Sequence, residues 1–236
     1  MAQTDARPGT GKGSLLQGLI SLAVWFAIMI AAMFLPAGTW DWPRGWMFLA
    51  AFGVFTAIAC VWIWIRNPEL FAARSRIQKG TKAWDMPVTI GIILSFAAIL
   101  PVSALDDGRF HWAPQPDSVV WLGHTLFAIG FMGTAWAQSE NRHFEATVRI
   151  QTDREHHVID TGPYAFIRHP GYAFAIPMMA GMPLALGSLY GLIPAGVAFI
   201  FLIIRTLGED ATLKAELPGY RDYAARVKQR WLPGVW

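Results

Sequence analysis

What most limits the fold of this chain is a series of apolar runs long enough to leave water. A helix needs ~20 predominantly apolar residues to cross a hydrocarbon core of ~30 Å. Such runs lie near residues 15–35, 46–65, 87–105 and 119–137, and a continuous apolar stretch follows from 172 to 204. As one helix that last stretch would extend ~50 Å at ~1.5 Å per residue. Gly187, Ser188 and Gly191 are therefore expected to fold it into a two-helix hairpin. Composition agrees: 54% of residues are hydrophobic and 15% charged, against roughly 25% charged in soluble domains. The expectation is an all-α, polytopic membrane bundle of about six transmembrane helices, closing with a helical hairpin and a cytoplasmic tail helix.

Charge placement orients the bundle. Lys and Arg accumulate in cytoplasmic loops. If the N-terminus, loop 66–86, loop 138–170 and the segment after 204 are cytoplasmic, every Lys and Arg except Arg44 and Arg109 lies on that side. Asp41, Asp106, Asp107 and Asp117 fall in the opposite loops. The net charge of +3 thus reflects orientation and attraction to anionic headgroups of membrane lipids, and it gives no pointer to nucleic acid. Both termini are expected in the cytoplasm; in a bacterium the membrane would be the inner one. The first run exceeds the 7–15 residues of a signal-peptide core and is read as a retained span. The single Cys60 excludes an intramolecular disulfide and is read as a small buried residue. Trp40, Trp42, Trp46, Trp62, Trp64 and Trp84 flank the first loops and read as interfacial anchors.

Three stretches follow: a disordered tail over 1–14, four membrane helices over 15–137, and a polar loop, hairpin and tail over 138–236, where chemistry is expected. Residues 161–172 read Thr-Gly-Pro-Tyr-Ala-Phe-Ile-Arg-His-Pro-Gly-Tyr. Pro170 should open a helix, because proline is tolerated in a first turn. That puts Arg168 and His169 beside free N–H groups and the positive end of a helix dipole, a place suited to an anionic group. Hairpin arms of ~17 residues run ~25 Å out and ~25 Å back, returning Glu209-Asp210 to the face left at His169. Arg205 and Glu209 stand one turn apart on one helix face. Singly, each has an ordinary explanation: a helix-end ion pair for Arg205–Glu209, a headgroup contact for Arg168, a helix cap for His169. Together, at one mouth, they suggest a site. His143, Glu155, His156 and His157 lack metal-ligand spacing and read as a solvated loop, so no metal site is expected.

The ordered series Gly162-Pro163-Tyr164, Arg168-His169-Pro170 with Tyr172, and Glu209-Asp210 resembles the isoprenylcysteine carboxyl methyltransferases and the related phospholipid N-methyltransferases. The likeness continues through Leu213, Leu217-Pro218-Gly219-Tyr220, Tyr223, Val227 and Leu232-Pro233-Gly234, and covers residues 141–236. These are multi-span enzymes that use S-adenosyl-L-methionine. The resemblance implies a cofactor pocket lined by Tyr164, Arg168, His169, Pro170 and Tyr172 and closed by Glu209 and Asp210. It also implies catalytic work for Arg205 and Glu209 on a lipophilic or small-molecule acceptor, whether carboxylate, amine or thiol, with Arg205 orienting an anionic one. Two positions depart from the pattern: the acidic pair is Glu-Asp instead of Glu-Glu, and Phe174 stands where the family has a small residue. Two other readings use the same residues. One is an NADPH-dependent, sterol-reductase-like membrane enzyme, which shares Arg-His-Pro-x-Tyr; the other is a non-enzymatic transporter or metal-binding membrane protein.

Overall fold

The computed structural model describes residues 12–67 and 80–236. Most of the expected tail over 1–14, and most of loop 66–86, lie outside the described residues. Every regular element among those described is helical: α1 (Lys12–Ala37), α2 (Pro43–Arg66), α3 (Asp85–Ser103) continued by a π-helical segment (Ala104–Phe110), α4 (Asp117–Glu140), short 3-10 turns at Thr152–Arg154 and Gly162–Ala165, α5 (Pro170–Ala185), α6 (Leu192–Glu216) and α7 (Tyr220–Arg226). The hairpin turn and the tail helix fall where expected, with Pro170 in the first turn of α5 and Gly187 at φ 76° in the turn.

Five helices are long and apolar enough to cross a bilayer: α1, α2, α3 with its π-helical continuation, α4 and α6. The sixth expected span is shorter than the others. With 16 residues, α5 is ~24 Å long, yet it reaches both ends of the bundle. His169 at its start neighbours Asp210 on α6, and Ser188 just past its end donates to Asp106 in the π-helical segment. No residue of α5 is exposed. A helix that is apolar all round is a buried one, so α5 is the central post of the bundle.

Small residues allow this. A Cβ added at Gly123 or Gly130 of α4 would collide with the α5 backbone at Ala185 or Met178, and one at Gly181 of α5 with Phe127. Where lipid is as apolar as leucine, such close backbone approach is what drives helices together. α5 accordingly packs most extensively on α4, and α6 on α3. The hairpin arms therefore splay, leaving an apolar groove of about 560 Å³ lined by Ile176, Met179, Ala180, Leu192, Ala195, Gly196 and Phe199.

Met33, Phe48, Ile99, Phe127, Met182 and Leu186 fill the core, while Ile28, Leu35, Trp64, Ile65, Leu94, Trp121 and Ile193 face outward. An exterior this apolar fits hydrocarbon, not water. Two sequence readings are corrected. Cys60 is exposed on the outer face of α2. Trp42 is buried, because its indole N–H reaches Asp107 at 2.7 Å; the neighbouring Trp40 and Trp46 are exposed, as anchors should be. Around Trp42 one end of the bundle is tied shut: Arg44 bridges Asp107 (2.7 Å) and Asp117 (2.9 Å), and Asp106 accepts from Ala113 N, Ser188 Oγ and Tyr190 N.

Candidate active site

At the other end, α5, α6, α7 and the loop after α4 surround a cleft of about 820 Å³ including its open mouth, within the 300–1,000 Å³ usual for small-molecule sites. One wall is helical. His169 precedes Pro170, and its ring stacks parallel to Tyr172, one turn into α5, with centroids 5.7 Å apart. From α6, Glu209 accepts a 2.6 Å hydrogen bond from the Tyr172 hydroxyl and lies 3.8 Å from His169 Nδ1. Asp210 Oδ1 lies 3.5 Å from His169 Nε2. The imidazole thus lies between two carboxylates contributed by the returning arm, and its buried Nε2 has no hydrogen-bond partner among the described residues. Among the described residues, Glu209 Oε1 accepts no hydrogen bond, leaving carboxylate capacity turned to the cleft.

The expected Arg205–Glu209 ion pair does not form. Arg205 instead turns to Asp85 at the head of α3, with Nε 3.1 Å from Oδ1 and one terminal N–H donating to Oδ2 at 3.3 Å. It also donates to Ala146 O at 2.6 Å and sits 5.9 Å over the Tyr172 ring, a cation–π distance. Asp85 is wholly buried and further accepts from Val148 N at 2.7 Å, so one carboxylate ties α3, α6 and the loop together. Sequence reading missed it. The available signal was an acid at the head of an apolar span, where an unpaired charge is expensive.

Tyr164, in the Gly162–Ala165 turn, is buried; its hydroxyl accepts from Asn141 at 3.2 Å, and burial pushes its pKa up. Arg168 is buried and spends its guanidinium on Asp210 and on the backbone carbonyls of Val227 and Lys228. Pro170 sits in the first turn of α5 beside these groups. Phe174 does not enter the cleft: its ring lies where a Cβ of Gly133 would sit, so the bulk at this position is absorbed by a notch in α4.

The second wall went unread in the sequence. Residues 141–159 line the cleft, with His143 buried and His156 half-buried contrary to the solvated loop expected, while Glu155 and His157 are exposed as that reading had it. Arg149, 7% exposed, is gripped by Glu145 through two bonds (2.7 and 2.8 Å) and by Asp153 at 2.6 Å; those hydrogen bonds raise its pKa further. Gln151 donates to His143 O at 2.7 Å and, through its backbone N–H, to His156 Nδ1 at 3.3 Å. The His143 ring packs 4.4 Å from His156 and 4.9 Å from His157. Burial, reinforced by His157 and Arg154, lowers the pKa of both His143 and His156 to about 4. Val158, Ile159, Leu213, Leu217, Tyr220 and Tyr223 complete an apolar shelf.

An apolar-surfaced helical bundle sealed at one end, with an imidazole, an open carboxylate and an aromatic shelf at the other, defines an integral membrane protein with an enzyme-like pocket. The chemistry is narrowed by comparison: residues 118–216 match the family model for phospholipid methyltransferase. That match runs from α4 through the cleft loop and α5 to the end of α6, and it supports the likeness read in the motifs. Over that stretch, which is less than half of its length, the chain is similar to membrane methyltransferases. No curated protein matches it.

Proposed function

We propose that the protein transfers a methyl group from S-adenosyl-L-methionine to a lipophilic acceptor, in the manner of the isoprenylcysteine carboxyl and phospholipid methyltransferases. The observation that carries this reading is Glu209: a carboxylate at the cleft, with no Arg or Lys as ion-pair partner among the described residues, flanked by the His169 and Tyr172 rings. Such a group complements a cation, and the shelf of Leu213, Leu217 and Val158 complements a planar base. The cofactor carries an activated methyl on a sulfonium and needs no metal to transfer it. His169, Tyr172 and Glu209 hold it, Tyr164 supports the floor, and residues 143–159 exclude water. Holding acceptor and methyl in line contributes ~7–11 kcal/mol toward the barrier. Arg205, committed to Asp85 and Ala146, positions Tyr172 and the loop.

The acceptor's chain lies in the α5/α6 groove. Tyr172, Ile176 and Ala180 follow one face of α5 at helical spacing, so cleft and groove are stacked polar above apolar along the same pair of helices. In a bilayer a hydrocarbon chain is the occupant at hand. The cleft opens to the cytoplasm, the side to which the basic loop and tail residues assign it.

The test is transfer of labelled methyl from S-adenosylmethionine into total lipid and small-molecule extracts by membranes containing the protein. Label is expected in a lipid-extractable product. Its absence from every fraction, or a preference of the pocket for NADPH over S-adenosylhomocysteine, would contradict the assignment.

A further inference from the structure

Arg168 and Asp210 are the two motif residues with nothing left to offer a ligand. The Arg168 guanidinium donates to Asp210 Oδ1 at 2.8 Å and Oδ2 at 3.1 Å, and to Val227 O and Lys228 O at 2.7 Å each. Asp210 in turn takes Lys214 at 2.8 Å, the Tyr220 hydroxyl at 3.1 Å and Arg230 at 3.3 Å. Alongside this pair the chain makes a two-rung ladder: the N–H of Arg168 donates to Gln229 O at 3.0 Å and that of His169 to Arg230 O at 2.9 Å.

We propose that residues 227–236 are a positioning part of the site, forming with Arg168 and Asp210 the frame that sets the His169 imidazole against Glu209. The inference rests on the pocket reading above only for its effect on turnover. The frame is anchored in the bundle. Trp231 is 4% exposed, packed 5.8 Å from Phe199 and edge-on to Trp236 at 4.7 Å. Residues 230–236 close into a hook: Trp236 O accepts from the N–H groups of Arg230 (2.8 Å) and Trp231 (2.9 Å), and the Arg230 guanidinium lies 5.2 Å over the Trp236 ring. Gly234, at φ 78°, makes the turn available, since that region is strained for residues with a Cβ. His169 has no helical N–H partner of its own at the start of α5, so its backbone register comes from Arg230 and its ring is bracketed by Asp210 and Glu209. The ring is therefore placed through its backbone, and a misplacement of ~1 Å at such a group costs about 100-fold in rate.

The experiment is deletion of residues 229–236 from the otherwise full chain in nanodiscs, beside Trp231→Ala and Trp231→Phe. Hydrogen exchange is read first: the Arg168 and His169 amides lose protection by about tenfold or more, while α3 and α4 keep theirs. Methyl-transfer turnover then falls about 100-fold. Trp231→Ala follows the deletion in direction, and Trp231→Phe restores both readouts. If the deletion fails to insert, the two Trp231 variants decide alone. Unchanged protection at 168–169 in the deletion or in Trp231→Ala, or failure of Trp231→Phe to restore it, overturns the proposal. A wild type that binds no S-adenosylhomocysteine but shows the exchange pattern refutes the functional reading and leaves the frame standing.

Discussion

The two ends of the bundle use the same kinds of residue to opposite effect. At the sealed end, Asp107 divides its oxygens between Arg44 and the Trp42 indole, and Asp106 spreads its own over three donors. At the cleft end, Asp85, Asp210 and Glu145 are spent in the same way on Arg205, Arg168 and Arg149. Glu209, however, keeps an oxygen for the cleft, and the ring beside it is braced by protein on both sides. Paired charge closes a helix end; one charge left open within a braced surround makes a place for a cationic ligand. Burying ions is expensive enough that the exception is informative.

That contrast is sharpened by substitution. The largest effect is expected from Glu209→Ala and His169→Ala, which should each lower methyl-transfer turnover by about 100-fold or more, the scale of losing an electrostatic or orienting group, with little change in thermal unfolding in detergent. Asp107→Ala should do the reverse. It leaves the Trp42 N–H buried without a partner, destabilising the fold by about 1–3 kcal/mol while turnover per folded molecule is kept; a fall in turnover larger than the loss of folded protein would break the comparison.

The smallest effect concerns pH. His143 and His156 are neutral in the folded loop down to about pH 4, whereas a detached loop takes up protons near the ordinary value of 6.5. Stability of this wall is therefore fully present above pH 6.5 and is lost as pH falls toward 4. Amide exchange over residues 141–159 should quicken severalfold across that window, and His143→Gln with His156→Gln should flatten the response. The groups facing these rings are each other, His157, Arg142, Arg149 and Arg154.

Hydropathy made most of the architecture legible, because a span must satisfy length and apolarity at once. The expected runs 46–65, 87–105 and 119–137 fall on α2, α3 and α4 within a few residues. The turn at Gly187 and Ser188 and the start at Pro170 followed from backbone chemistry alone. Splaying of the hairpin did not, since it depends on which neighbour offers glycine: Gly123 and Gly130 draw α5 onto α4, and only three-dimensional register reveals that. The motif residues were found as a set, but their division of labour was hidden. Arg205 meets Asp85 across 120 residues, and i,i+4 spacing suggested Glu209 instead. Likewise Glu145, Arg149 and Asp153 stand four apart, as on a helix face, yet they pair within a loop that hydropathy had assigned to solvent.

The central claim is that the cleft between His169 and Glu209 receives the methyl donor. Calorimetric titration of the purified protein with S-adenosylhomocysteine tests it most directly. Saturable binding in the wild type, abolished in Glu209→Ala and not displaced by NADPH, is the predicted result; no heat of binding in wild-type protein that is folded and reconstituted would contradict it.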